Sequence, residues 1–142
     1  MKDAKSYLKQ INLLNIKINS QLSERCSLIE MLTKVTSSFK DDYGSSSGYS
    51  DKIGNSIAMV VDLENEINAN IESLVNMRSD ILRTLEKIDD PDQYQVLYKR
   101  YFQNETLEKI ACDLNMTYRN VCYIHGKALN TFAEISENEK NG

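Results

Sequence analysis

The sequence predicts an all-α protein: a long antiparallel helical hairpin followed by a small three-helix domain. Three observations carry this. Two near-equal segments, 3–36 and 51–88, repeat apolar residues at heptad spacing on either side of one Ser/Gly-rich stretch. The only Pro in the chain follows Asp90, where the second segment ends. Beyond it, Thr106 and Thr117 stand just before two short apolar-periodic runs, as helix caps do.

In the first segment Leu8, Ile11, Ile18, Leu22, Ile29 and Leu32 form a stripe, interrupted in the same register by Asn15 and Arg25. The stretch 37–51, SSFKDDYGSSSGYSD, reads as the connecting loop. The second segment has a cleaner stripe from Ile53 to Ile88, in which only Glu64 and Arg78 are polar. Residues 1–36 carry net charge +3 and residues 52–90 net −4, which suits antiparallel pairing. A turn near Gly44 sets Arg25 level with Glu64, and the two are expected to pair and to fix register. Val61, Leu63, Val75, Met77 and Leu82 widen the apolar face, so something else must cover it. A second copy of the chain is the expected cover, giving a homodimer or a higher oligomer.

The chain restarts at Asp90 and Pro91. A first short helix, 91–102, presents Tyr94, Leu97, Tyr98, Tyr101 and Phe102 on one face. A second, 107–114, follows Thr106, and a third, 118–135, follows Thr117 and buries Val121, Ile124, Ala128, Leu129 and Phe132. Two helices that cross tightly need a small residue at the crossing, and the turn between them needs positive φ. Ala111 and Asn115 meet these two demands. Ile110, Leu114, Met116, Val121 and Ile124 supply the apolar residues needed just before the small one, at the end of the second helix, just after the turn and at two sites in the third; the seven together predict a helix-turn-helix. The expected domains are therefore a coiled-coil region at 1–89, a helix-turn-helix at 90–136 and a flexible acidic tail at 137–142.

Residues 94–132 resemble region four of bacterial sigma factors, through Thr106, Ile110 and Ala111 and then Val121, Ile124, Ala128 and Leu129. Nearly end to end, the opening MKDAKSYLKQI and the strings DKIGNSIAMVVDLENEIN, DDPDQYQVLYKRYF and TYRNVCYIHGKAL make the chain similar to ArpU-type regulators of Gram-positive phages and prophages. That resemblance implies DNA-binding transcriptional regulation of phage or prophage genes in the cytoplasm of a bacterial host. The sigma-like part adds RNA polymerase as a candidate partner.

The third helix is the expected recognition helix, with double-stranded DNA as partner. Arg119 and Asn120 suit base edges, since Arg bonds guanine and Asn bonds adenine in the major groove. Thr117, Tyr118 and Tyr123 suit phosphates. Lys127, Lys109, Lys99 and Arg100 are further candidates for the DNA backbone. Charge limits one copy, because residues 91–142 are net −1 within a chain of net −4. Two copies would double the contacts and read a two-fold site. Asp92, Glu134, Glu137 and Glu139 are expected to lie off the contact face.

Other classes find little support. The longest apolar run, 57–61, is far short of the roughly 20 residues a membrane helix needs. A signal peptide is not expected, and three Cys with no CxxC spacing suit a reducing compartment. The single His, His125, suggests a surface or phosphate role rather than catalysis, and neither an enzyme site nor a cofactor or metal is expected. Two alternatives remain: a ring component of phage DNA packaging, and a protein-interaction module that grips RNA polymerase without touching DNA.

Overall fold

The computed structural model describes residues 3–41 and 47–141, and every element among them is helical. The order is α1 (Ala4–Asp41), α2 (Ser47–Leu85), α3 (Pro91–Leu97), a π-helical turn (Tyr98–Phe102), α4 (Leu107–Asp113) and α5 (Tyr118–Asn141). No helix among the described residues is long and apolar enough to cross a membrane.

Each start has a local cause. Asp3 Oδ1 accepts from the Ser6 amide at 2.7 Å and caps α1, and this bond holds the Asp3 carboxyl below its usual range. Asp90 accepts from the amides of Asp92 and Gln93, and Pro91 follows at the first helical position. Thr106 caps α4 through the Lys109 amide at 3.2 Å, and Thr117 caps α5 through the Asn120 amide at 3.1 Å. Asn115, in the turn between those helices, has φ 54°.

Several boundaries differ from the sequence expectation. Helices α1 and α2 extend to Asp41 and from Ser47, so both ends of the expected 37–51 loop are helical; its middle, including Gly44, lies outside the described residues. The expected flexible tail is helical through Asn141. There, Glu139 pairs with Lys87 at 2.7 Å and accepts from the Thr84 hydroxyl at 3.2 Å. Both bonds, Lys87 first, hold its carboxyl below the usual range. The helix expected over 91–102 changes pitch at Tyr98, where the Gln103 amide bonds the Tyr98 carbonyl five residues back.

The described residues form two compact units, and their division does not follow the break at Asp90. One joins the residues up to Leu14 with those from Leu74 onward; the other is Asn15–Ser73. In the first, α1 and α2 supply Leu8, Ile11, Ile81 and Leu85 to a core completed by Ile88, Leu97, Tyr101, Ala128 and Phe132. Met77 and Leu82 pack against that core, so this part of the wide α2 face is covered from within the chain. A smaller cluster of Val96, Ile110, Ala111 and Val121 sits at the α4–α5 crossing. Arg78, in the α2 stripe, lies over the Phe102 ring at 4.6 Å.

In the second unit α1 and α2 run antiparallel. Arg25 Nε meets Glu64 Oε1 at 2.8 Å, as the stripe predicts. Gln21 accepts from Asn70 at 2.9 Å and donates to Glu66 at 3.3 Å. Ile18, Val60 and Ile67 are buried between the helices. The Arg25–Glu64 pair is more than a third exposed on both sides, so water screens it. Arg25→Ala is expected to cost less than about 1 kcal/mol in thermal unfolding. A loss of several kcal/mol would make the pair a stability element rather than a register mark.

Candidate nucleic-acid interface

Helix α5 has two opposed faces. Val121, His125, Ala128 and Phe132 are buried along one edge. Tyr118, Arg119, Asn120, Tyr123 and Lys127 are exposed around the other side. Ala111, 5% exposed, and Val121, fully buried, let α4 and α5 cross closely. Capping by Thr117 and the left-handed turn at Asn115 then start α5 in the same small cluster, with its first turn in solvent.

The predicted contact residues fall into two groups. Arg119 makes no ion pair or side-chain hydrogen bond among the described residues, and the side-chain carboxamide of Asn120 has no partner among them either. Lys127 Nζ lies 5.0 Å from the Tyr123 ring centre, a cation–π contact between neighbours on the same face. The Tyr118 phenol is pushed above its usual range by a hydrogen bond with Cys122, with the charges of Cys122 and Glu108 adding to it. It therefore stays a neutral hydroxyl at physiological pH. These five side chains and the Thr117 hydroxyl share the start and outer face of α5.

The second group is already engaged. Lys109 pairs with Glu105 at 3.1 Å and approaches Asp113 at 3.9 Å, and this raises the Lys109 ammonium above its usual range. Lys99, half-buried, also approaches Asp113 at 3.9 Å. Arg100 donates from Nη1 to the Glu105 carbonyl at 2.9 Å, closing the turn after the π-helical residues. A buried oxygen of Glu105, Oε2, has no hydrogen-bond partner among the described residues. Lys99, Lys109 and Arg100 thus hold the α3–α4 connection together, and Glu105 and Asp113 offset part of the charge of the two lysines.

His125 corrects an expectation. It is 9% exposed rather than on the surface, and its Nε2 meets the Tyr101 hydroxyl at 2.8 Å. Its spacing could have found it, because His125 stands four residues after Val121 and three before Ala128, on the buried edge itself. Burial lowers the imidazole below its usual range, with Arg100 and then Lys5 adding to the effect. Burial also pushes the Tyr101 phenol up to about 12. The sign follows from linkage: an unfolded chain protonates His125 more readily than the folded one. Stability is therefore complete above about pH 6.5 and falls as pH drops from there toward the lowered native value. In His125→Gln, denaturant midpoints measured from pH 7.5 down to 5.5 are expected to lose most of this slope. An unchanged slope would assign it to the carboxylates.

No group of three or more metal-ligating side chains occurs among the described residues. No protein-family model, curated protein or solved structure matches this chain.

Proposed function

We propose that this chain is a sequence-specific DNA-binding transcriptional regulator of phage or prophage genes. It dimerises through the coiled coil of α1 and α2 and reads double-stranded DNA with α5, the second helix of a helix-turn-helix. The observation that carries the reading is the outer face of α5. Arg119 and Asn120 stand uncommitted in its first turn, opposite a fully buried edge and directly after a capped left-handed turn. Side chains that reach base edges must be exposed and unpaired at the start of a rigidly seated helix.

Exposed apolar residues support self-association. In the Asn15–Ser73 unit Ile16, Met31, Met59 and Val61 are each 47–60% exposed, although the unit consists of two helices alone. Two helices bury one stripe each, so a second copy is the economical cover, and it also supplies the second recognition helix that the weak local charge calls for. Sedimentation equilibrium is expected to give a dimer, and Met59→Glu with Val61→Glu a monomer of unchanged helicity. A wild-type monomer at micromolar concentration would remove self-association from the reading.

One observation favours a second reading. Glu105 and Asp113 occupy Lys99 and Lys109, which leaves few free cations to meet phosphates. A module that grips a protein, RNA polymerase being the candidate, tolerates such neutralisation. The deciding experiment titrates the purified protein with duplexes from its own gene neighbourhood at two salt concentrations. A discrete complex with two copies per duplex and a preferred sequence supports the regulator. Indifference to DNA at low salt overturns it in favour of the protein partner.

A further inference from the structure

A small pocket opens in the unit that contains α3 to α5, and no residue of the α5 outer face lines it. Its walls are Lys9, Asn12 and Leu13 of α1, Arg100 and Tyr101 of the π-helical turn, and Asn104 just beyond it. Its volume is about 140 Å³. That is room for a small tetrahedral ion with a few waters, and too little for a nucleotide.

The chemistry of the walls is one-sided. Both ionisable groups other than the Tyr101 phenol are cations, and no carboxylate lines the pocket. Neither Lys9 nor Arg100 forms an ion pair among the described residues, although acids outnumber bases in the chain as a whole. Arg100 spends one N–H on the Glu105 carbonyl, which fixes its guanidinium and leaves the remaining donors uncommitted. The side-chain amides of Asn12 and Asn104 have no hydrogen-bond partner among the described residues. Asn104 is held at φ 55°, in the left-handed region, so its position at the rim is set by the turn.

Two cations from different elements, with two uncommitted amides lining the same pocket, match the demands of a phosphate group. It carries up to two negative charges and several acceptor oxygens, and it binds Arg and Lys through charge-assisted hydrogen bonds. We propose that the Lys9–Asn12–Arg100–Asn104 pocket binds a phosphate group. The group comes either from a free phosphate or from a DNA backbone, and the free-phosphate case does not depend on the chain being a DNA-binding regulator.

The single imidazole of the chain reports on the pocket. His125 is hydrogen-bonded to Tyr101 in the pocket wall, and the charge of Arg100 contributes to holding its titration low. An anion beside Arg100 offsets that charge, so the His125 midpoint moves up. The experiment follows the His125 ring signals by NMR in the full chain while inorganic phosphate replaces chloride at constant ionic strength. In parallel, duplex DNA binding is measured against salt concentration.

Free phosphate as the ligand is expected to give a saturable upward shift that Lys9→Gln weakens at least tenfold. A DNA backbone as the ligand leaves inorganic phosphate without effect. Lys9→Gln then lowers affinity equally for all sequences and reduces the slope of log affinity against log salt by about one. The proposal is overturned if the phosphate shift survives Lys9→Gln undiminished, or if neither phosphate nor the salt slope responds. Lys9 is exposed and makes no side-chain bond, so the variant keeps the fold, and its helicity by circular dichroism checks this.

Discussion

Phe132→Ala lowers the unfolding free energy by about 3–5 kcal/mol, enough to leave a domain of ordinary stability barely folded. The reason is its place in the core. Phe132 is 2% exposed and belongs to the same cluster as Leu8, Ile11, Ile81 and Leu85, with the Tyr7 ring 6.3 Å away. Truncation removes an aromatic ring and leaves a cavity walled by four helical segments that are fixed elsewhere and collapse only partly. Leu8→Ala, at the far end of the sequence, is expected to cost about 2–5 kcal/mol and to disturb the same unit. Urea midpoints give the magnitude, and the His125 NMR signal shows which unit is affected. If Leu8→Ala left that signal untouched, the start of α1 would not belong to the unit of α5.

If α5 reads DNA as proposed, Arg119→Ala together with Asn120→Ala is expected to abolish sequence preference while leaving stability unchanged. Each well-placed bidentate contact contributes about 1–3 kcal/mol of discrimination, so two together amount to a loss of roughly two to four orders of magnitude in specific affinity. Residual binding at low salt should persist, because it depends on phosphate contacts. Both side chains are exposed and make no side-chain bonds, so the melting temperature should not move. The result that would sink the recognition-helix reading is undiminished affinity for a cognate site. Lys109→Ala is the informative companion. It breaks the bond to Glu105, so any effect on DNA binding must be judged against its effect on folding.

Local chemistry was readable from the residues one at a time. Asp90, Thr106 and Thr117 announce helix starts because a short oxygen-bearing side chain satisfies amides that the helix itself leaves free. Asn115 announces a reversal because few other residues accept positive φ. Arg25 and Glu64 could be matched because both interrupt an otherwise apolar stripe and their charges are opposite. What could not be read depended on partners far away in sequence. The spacing of His125 pointed to the buried edge, but the partner that permits its burial, the Tyr101 hydroxyl, lies 24 residues away and could not be read. Glu139 looked like part of a solvated tail until Lys87 and Thr84 gave it a place.

Two other misses have different causes. The serines and glycines of 37–51 argue for a loop by composition, but extending a long existing helix costs no new nucleus, and the helix reaches Asp41. The break at Asp90 marks a change of helix, and it was natural to cut the domains there. Burial draws the boundary elsewhere, because the apolar residues of α3 and α5 need Leu8, Ile11, Ile81 and Leu85 to close their core. Of the candidate site, the α5 outer face was legible from its amphipathic pattern. The engagement of Lys99, Arg100 and Lys109 was not, since it requires the turn that brings Glu105 and Asp113 to them.

A core that joins Leu8 to Phe132 also sets an order of events in time. The antiparallel pairing in Asn15–Ser73 uses residues that are all synthesised by mid-chain, so it can form while the rest is still being made. The other unit cannot close until α5 has left the ribosome, and until then the apolar side chains of Leu8 and Ile11 wait without their partners. Contacts of such long range slow folding, and the waiting surface is exposed to aggregation. The Asn15–Ser73 unit therefore completes its own pairing first, and the surface of α5 is the last part of the molecule to be seated.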